Sequence, residues 1–177
     1  SDNAVRWAAN TAMKRGIPLR LAASYTMPQF LYAEGMVPPQ ELFDDLQNEC
    51  LNKIEAAREI AKEVAPDLEI GHTVAEGSPI DMLLGLSKDA TMIVMGSRGM
   101  GGLSGMVMGS VSASVVSHAS CPVVVVREDN HVTDSTKYGP VVVGVDGSEV
   151  SQKATDYAFK EADARGAELI AVHTWMD

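Results

Sequence analysis

Apolar and polar positions alternate between two periods along this chain. Short unbroken apolar runs recur at Met92–Met95, Pro122–Val126 and Val141–Val145, the pattern of buried strands, and Leu19–Ser24 also reads as a strand. Between them lie stretches with helical spacing. From Pro39 to Val64, residues Leu42, Leu46, Cys50, Ile54, Ala57, Ile60, Ala61 and Val64 fall on one stripe, and charged residues fill the other face. Ser1–Arg15 carries Ala4, Ala8 and Ala12 four apart, a narrow small-residue face suited to close packing, and Gly16 ends it. Leu68–Ala75 reads as a strand, with His72 as a satisfied half-buried histidine. Ser78-Pro79-Ile80-Asp81 opens a helix that runs to about Ser87: serine caps, proline suits the first turn, and the carboxylate favours the N-terminus. A helix over Ser110–His118, one from Ser148 to Arg165 and a strand over Glu168–Trp175 complete the reading. Tyr25–Pro38 is expected to be a loop, its aromatic residues Tyr25, Phe30 and Tyr32 suited either to a ligand edge or to packing on their own domain. This alternation of strand and helix predicts an α/β fold with a parallel sheet.

The chain repeats itself. At an offset of 150 residues, Ala4, Ala8 and Ala12 meet Ala154, Ala158 and Ala162, Arg15-Gly16 meets Arg165-Gly166, and Leu19 meets Leu169. A repeat of domain length indicates tandem copies. Val141–Ser148 has no counterpart before Ser1, so the first copy is expected to lack its first strand and the chain to be a window of a longer tandem protein. The domains predicted are 1–127, a linker at 128–139, and 140–177 as the opening β-α-β of a second domain. A competing expectation has Val141–Val145, in its own chain or a partner's, pairing between the strands at Leu21 and Ile93.

The densest chemistry lies where the Met92–Met95 strand ends. Gly96, Gly99, Gly101, Gly102, Gly105 and Gly109 fall within fourteen residues, and Gly109-Ser110 then opens a helix. Backbone N–H groups leading into a helix N-terminus form an anion site, and glycine lets the backbone approach a ligand. The spacing Gly96-x2-Gly99-x9-Gly109-Ser110 is neither the dinucleotide fingerprint, where Ser104 occupies the third glycine position, nor a P-loop, which needs Gly-Lys-Ser/Thr.

Composition narrows the partners. The 177 residues are 46% hydrophobic, without an apolar run of membrane-spanning length. Fourteen basic against 24 acidic residues give a net charge of −10, which argues against a nucleic-acid surface. Arg98 is the only cationic side chain between Met92 and Val111, so backbone N–H groups must carry most of any anion binding. Cys50 and Cys121 have no metal-ligand spacing and read as reduced thiols, pointing to a cytoplasmic setting. His118, near a helix C-terminus, has a favourable place for a cation and is given no catalytic role.

The Gly96–Ser110 spacing, with Val143-Gly144-Val145-Asp146-Gly147-Ser148 and Cys121-Pro122-Val123-Val124-Val125-Val126, resembles the ATP-binding members of the universal stress protein family. The resemblance covers nearly the whole chain. It implies a doubly wound, Rossmann-like five-stranded parallel sheet, order 3-2-1-4-5, with helices on both faces. It implies ATP, with Mg²⁺ or Mn²⁺ on the phosphates, held by Gly96, Ser97, Arg98, Gly99, Met100, Gly101, Gly102, Gly109, Ser110 and Val111. The adenine end falls to Ser24 in the first repeat, and to Gly144 and Asp146 in the second; Asp146 reads equally as a turn former beside Gly147. Dimerisation or tandem pairing is implied through the sheet edge at Val123–Val126. The function implied is a nucleotide-binding stress regulator. Slow ATP hydrolysis and a nucleotide-free interaction module are the alternatives. No base for an attacking water and no serine-histidine-acid set can be placed from the sequence.

Overall fold

Strand β1 (Leu19–Tyr25) lies parallel to β2 (Ile70–Glu76), and β3 (Ile93–Gly96) lies parallel to β4 (Val123–Val126). The computed structural model describes residues 2–27, 39–97, 108–127 and 139–174. The 128–139 linker apart from Gly139, most of the Tyr25–Pro38 loop with Phe30 and Tyr32, and Arg98 to Gly102 lie outside the described residues. The chain divides into two compact units, residues 1–128 and 129–177.

In the first unit, α1 (Asp2–Arg15) packs on α2 (Gln40–Val64) and reaches β1, β3 and β4, while α2 covers β1 and β2. Helix α3 (Pro79–Leu86) packs on β1 and on α4 (Ser110–His118), which meets β4. Small residues let α1 come close: Ala4, Ala9 and Ala12 are buried, and so are Cys50, Ile54 and Ala61 on the predicted α2 stripe. The buried face of α1 is turned slightly from the expected one, since Ala9 rather than Ala8 is fully enclosed. An exposed ion pair, Arg6 to Glu63 at 2.7 Å, also joins the two helices. Such a pair is worth about 0–1 kcal/mol, so the buried alanine face dominates that contact.

Helix ends follow the sequence. The Ser78 hydroxyl accepts from the Ile80 N–H at 3.2 Å, with Pro79 in the first turn of α3. At the other end of α3, the buried Ser87 hydroxyl donates to the Leu84 carbonyl at 2.8 Å and accepts from the Ser120 N–H at 3.0 Å. That tie fixes the turn before β4. Gly16 adopts φ +62°, and the bonds Gly16 N–H to Met13 and Ile17 N–H to Ala12 close α1 with a left-handed residue.

The second unit contains β5 (Val141–Gly144), α5 (Glu149–Arg165) and β6 (Leu169–Val172). Strand β5 pairs in parallel with β6, Val142 opposite Ile170, while Leu21 is registered on His72 and Ile93 on Val123. The expected insertion of Val141–Val145 between the strands at Leu21 and Ile93 is therefore not the pairing observed. The internal repeat reappears as geometry: Gly166 also has φ +62°, and Gly166 N–H to Asp163 with Ala167 N–H to Ala162 reproduces the α1 closure 150 residues on.

His72 departs from expectation. It is exposed on β2, and its Nδ1 lies 3.5 Å from an Arg58 guanidinium nitrogen; another nitrogen of that guanidinium donates to the Ile70 carbonyl at 2.7 Å. Both cysteines are free thiols; Cys50 is buried and Cys121 half-buried, where desolvation pushes its thiol pKa up. Among the described residues, no helix is long and apolar enough to cross a membrane.

Candidate functional site

The β3–β4 ladder ends at the glycine-rich stretch. Ile93 N–H donates to Pro122 at 2.9 Å and Ser97 N–H donates to Val126 at 3.0 Å, so the odd-numbered residues of β3 face β4. Parallel pairing then turns the N–H and C=O of Val94 and Gly96 to the other side. The Gly109 N–H donates to the Ser97 carbonyl at 2.8 Å and brings the two ends of the stretch together. The sequence-predicted Gly96, Ser97, Gly109 and Ser110 are thereby gathered at the junction of β3 and α4. Ser97 is buried, Gly109 and Val111 are half-buried, and Ser110 is exposed.

Gly109 sets the electrostatics. It is the residue before α4, extended at φ −75° and ψ 164°, and it has no side chain with which to cap the helix. The first intrahelical bond runs from Ala113 N–H to the Gly109 carbonyl at 2.9 Å, leaving the first-turn N–H groups of Ser110, Val111 and Ser112 without helical acceptors. By contrast, α3 and α5 begin with serine hydroxyls, Ser78 and Ser148, that accept from their first turns. An anion at the start of α4 would meet N–H donors and the positive end of a helix dipole.

Other predicted site residues lie elsewhere. Ser24 sits half-buried near the end of β1, registered on Ala75, with the Gly77 N–H bonded to the Tyr25 carbonyl beside it. Gly144 and Asp146 belong to the second unit. Asp146 is exposed, and its Oδ1 accepts from the Ser148 N–H at 2.9 Å across Gly147, which has φ +82°. The hydrogen bonds of Ser148, then that of the Ser151 side chain, hold the Asp146 carboxyl down to about 2. This is the turn-forming role expected beside Gly147. His173 closes the same end of the sheet: its Nδ1 contacts the Val145 carbonyl at 2.5 Å. A carbonyl only accepts, so Nδ1 carries the proton there.

Two residues escaped the sequence reading. Ser112 is buried in the first turn of α4 and donates to the Gly96 carbonyl at 3.0 Å; Ser87 makes the α3 tie described above. The available signal was a hydroxyl inside an otherwise apolar helical face. Serine is common enough near helix starts that the signal does not stand out.

Over residues 1–127 and 137–177 the chain matches the sequence profile of the Universal stress protein family. It belongs to that family. Universal stress protein Rv2005c of Mycobacterium tuberculosis (strain ATCC 25618 / H37Rv) is 39% identical over 182 residues, covering 100% of this chain and 61% of the relative. Universal stress protein Rv2623 of the same strain is 37% identical over 180 residues, covering 98% of this chain and 59% of the relative. The chain thus spans about three fifths of the length of these universal stress proteins. Among solved structures, a universal stress protein from Archaeoglobus fulgidus DSM 4304 superposes with a TM-score of 0.72 at 20% identity, covering 100% of this chain and 63% of that one. A universal stress protein in complex with cAMP gives 0.52 at 22% identity, covering 73% of this chain and 94% of that one. At these identities the likeness speaks for the α/β fold.

Proposed function

We propose that this universal stress protein binds an adenine nucleotide, ATP with Mg²⁺ or Mn²⁺, at the junction of β3 and α4, and acts as a regulator through that binding. The observation that carries the reading is the Gly109–Ser97 bond, which sets an uncapped helix start beside the end of a parallel strand. Carboxyl ends of parallel strands are where α/β sheets bind ligands. The solved universal stress protein in complex with cAMP supports the ligand class.

In this reading the phosphates lie against Gly109, Ser110 and Val111, and the Ser110 hydroxyl adds a donor. Gly96, Ser97, Arg98, Gly99, Met100, Gly101 and Gly102 complete the set that holds the ribose and phosphates. Ser24 serves the adenine end of the first unit; Gly144 and Asp146 serve that of the second. Among the described residues no three His, Cys, Asp or Glu side chains gather to hold a metal. In this reading the divalent ion is carried on the phosphates. The described residues at the start of α4 supply N–H donors, which suit the binding of an anion.

The same reading completes the sheet as 3-2-1-4-5. The observed pairs β2–β1 and β3–β4 are its two outer neighbour pairs, with a strand of the Val141–Val145 type between them. It takes 1–127 as one domain and 140–177 as the start of another, pairs copies through the β4 edge, and sets the protein in the cytoplasm.

The experiment is mass spectrometry of small molecules released from purified, heat-denatured protein, followed by titration of the emptied protein with ATP. Near-stoichiometric adenine nucleotide, or saturable ATP binding, is expected. Release of none together with no binding of added ATP would favour the interaction-module reading. A single-turnover assay with radiolabelled ATP separates binding from slow hydrolysis.

A further inference from the structure

We infer that Ser112 is a positioning residue for the nucleotide site: its hydroxyl ties the first turn of α4 to the end of β3 and sets where the helix N–H groups point. The inference rests on the binding reading above and adds a residue to it.

The Ser112 hydroxyl donates to the Gly96 carbonyl at 3.0 Å, and the side of β3 on which Gly96 lies is the one turned away from β4. Beside it, the Gly109 N–H donates to the Ser97 carbonyl at 2.8 Å. Consecutive carbonyls of one strand end, Gly96 and Ser97, thus each take a donor from the start of one helix. Two ties at different points resist rotation as well as translation, where a single bond would act as a pivot. Ser112 is 3% exposed, so its hydroxyl is spent within the protein rather than presented to a ligand. Its effect on an anion runs through the aim of the Ser110 and Val111 N–H groups, and hydrogen bonds weaken steeply as their angle departs from linear.

The effect is selective in kind. A phosphate bound by the helix start feels the tilt of α4; a nucleoside that lacks phosphate does not. The test is isothermal titration of the full chain with ATP and with adenosine, for the wild type, Ser112→Ala and Ser112→Thr, with folding confirmed by circular dichroism. Ser112→Ala is expected to weaken ATP about tenfold and leave adenosine unchanged. Ser112→Thr, which keeps the hydroxyl, is expected to restore ATP affinity to within about threefold of wild type. If Ser112→Ala does not fold, Ser112→Cys, close in volume with a weak S–H donor, takes its place with the same expectation. Undiminished ATP binding, or equal loss of ATP and adenosine, overturns the positioning role while the binding reading stands. A wild type that binds no ATP overturns the binding reading and this inference with it, before any variant is made.

Discussion

The backbone N–H of Gly109 donates to the carbonyl of Ser97 at 2.8 Å, joining residues that lie on either side of the glycine-rich stretch. That bond turns a sequence spacing into a place: the end of a parallel strand and the uncapped start of a helix meet at one point.

Gly109→Val tests that place. Gly109 is extended, φ −75° and ψ 164°, a conformation valine adopts readily, so backbone strain is not the expected effect. A branched side chain beside the first-turn N–H groups obstructs an incoming phosphate instead. ATP affinity should fall by at least about tenfold, a change of about 1.4 kcal/mol, with only a modest loss of stability. Titration calorimetry and thermal unfolding on the same samples check both halves. Gly99→Val is expected to act alike, and unchanged affinity in both variants removes the stretch from the site.

Ser87→Ala should destabilise the first unit. Ser87 is 1% exposed and serves two partners, the Leu84 carbonyl and the Ser120 N–H. Removing the hydroxyl strands a donor, at a cost of about 2 kcal/mol. Urea unfolding measures it, with Ser117→Ala as control, since the exposed Ser117 hydroxyl bonds the Ala113 carbonyl of its own helix. That control should shift stability by less than about 0.5 kcal/mol.

Gly16→Ala and Gly166→Ala should behave as a matched pair. Each glycine has φ +62° and open space where a Cβ would stand, so backbone strain alone is charged to the substitution. The expected cost is about 1 kcal/mol at each site. Amide exchange should show the first variant loosening residues 2–25 and the second loosening residues 141–172. A much smaller effect at Gly166 would mean that the two closures differ in spite of their shared geometry.

Asp146 should titrate near pH 2, held down chiefly by its hydrogen bonds to Ser148. A folded pKa below the ordinary carboxylate value of about 3.9 means the charged form stabilises the fold. Its contribution is complete above about pH 4 and is lost as the pH falls through the folded value near 2. A carboxyl ¹³C titration should show Asp146 still ionised at about pH 3, where an unperturbed aspartate is mostly protonated. Titration near the ordinary value would show that the turn does not depend on the charge.

Much of the fold is legible in the chain because local rules decide it. Apolar runs and period-3.6 patterns locate β1 to β5 and α1 to α5 to within a residue or two, while β6 ends at Val172, short of the Trp175 expected. Ser78-Pro79 and Arg165-Gly166 mark ends at which the backbone needs a cap or a left-handed residue, and the structure has both there. Around the site, Gly109-Ser110 opens a helix as its spacing predicts, and the Asp146 carboxylate accepts a hydrogen bond in the turn expected beside Gly147.

By itself the sequence determined the order and nature of the elements, the 150-residue repeat and the membership in the universal stress protein family, since each depends on neighbours a few residues apart or on a pattern of residue types. Only the tertiary structure decided that β5 pairs with β6, that His72 points to solvent beside Arg58, and that Ser112 reaches Gly96. Those outcomes depend on which groups meet across 14 or more positions of chain. Strand pairing and hydroxyl donation are short-range forces with almost no sequence signature of their own, so the partner is chosen by the packing that brings it within 3–4 Å.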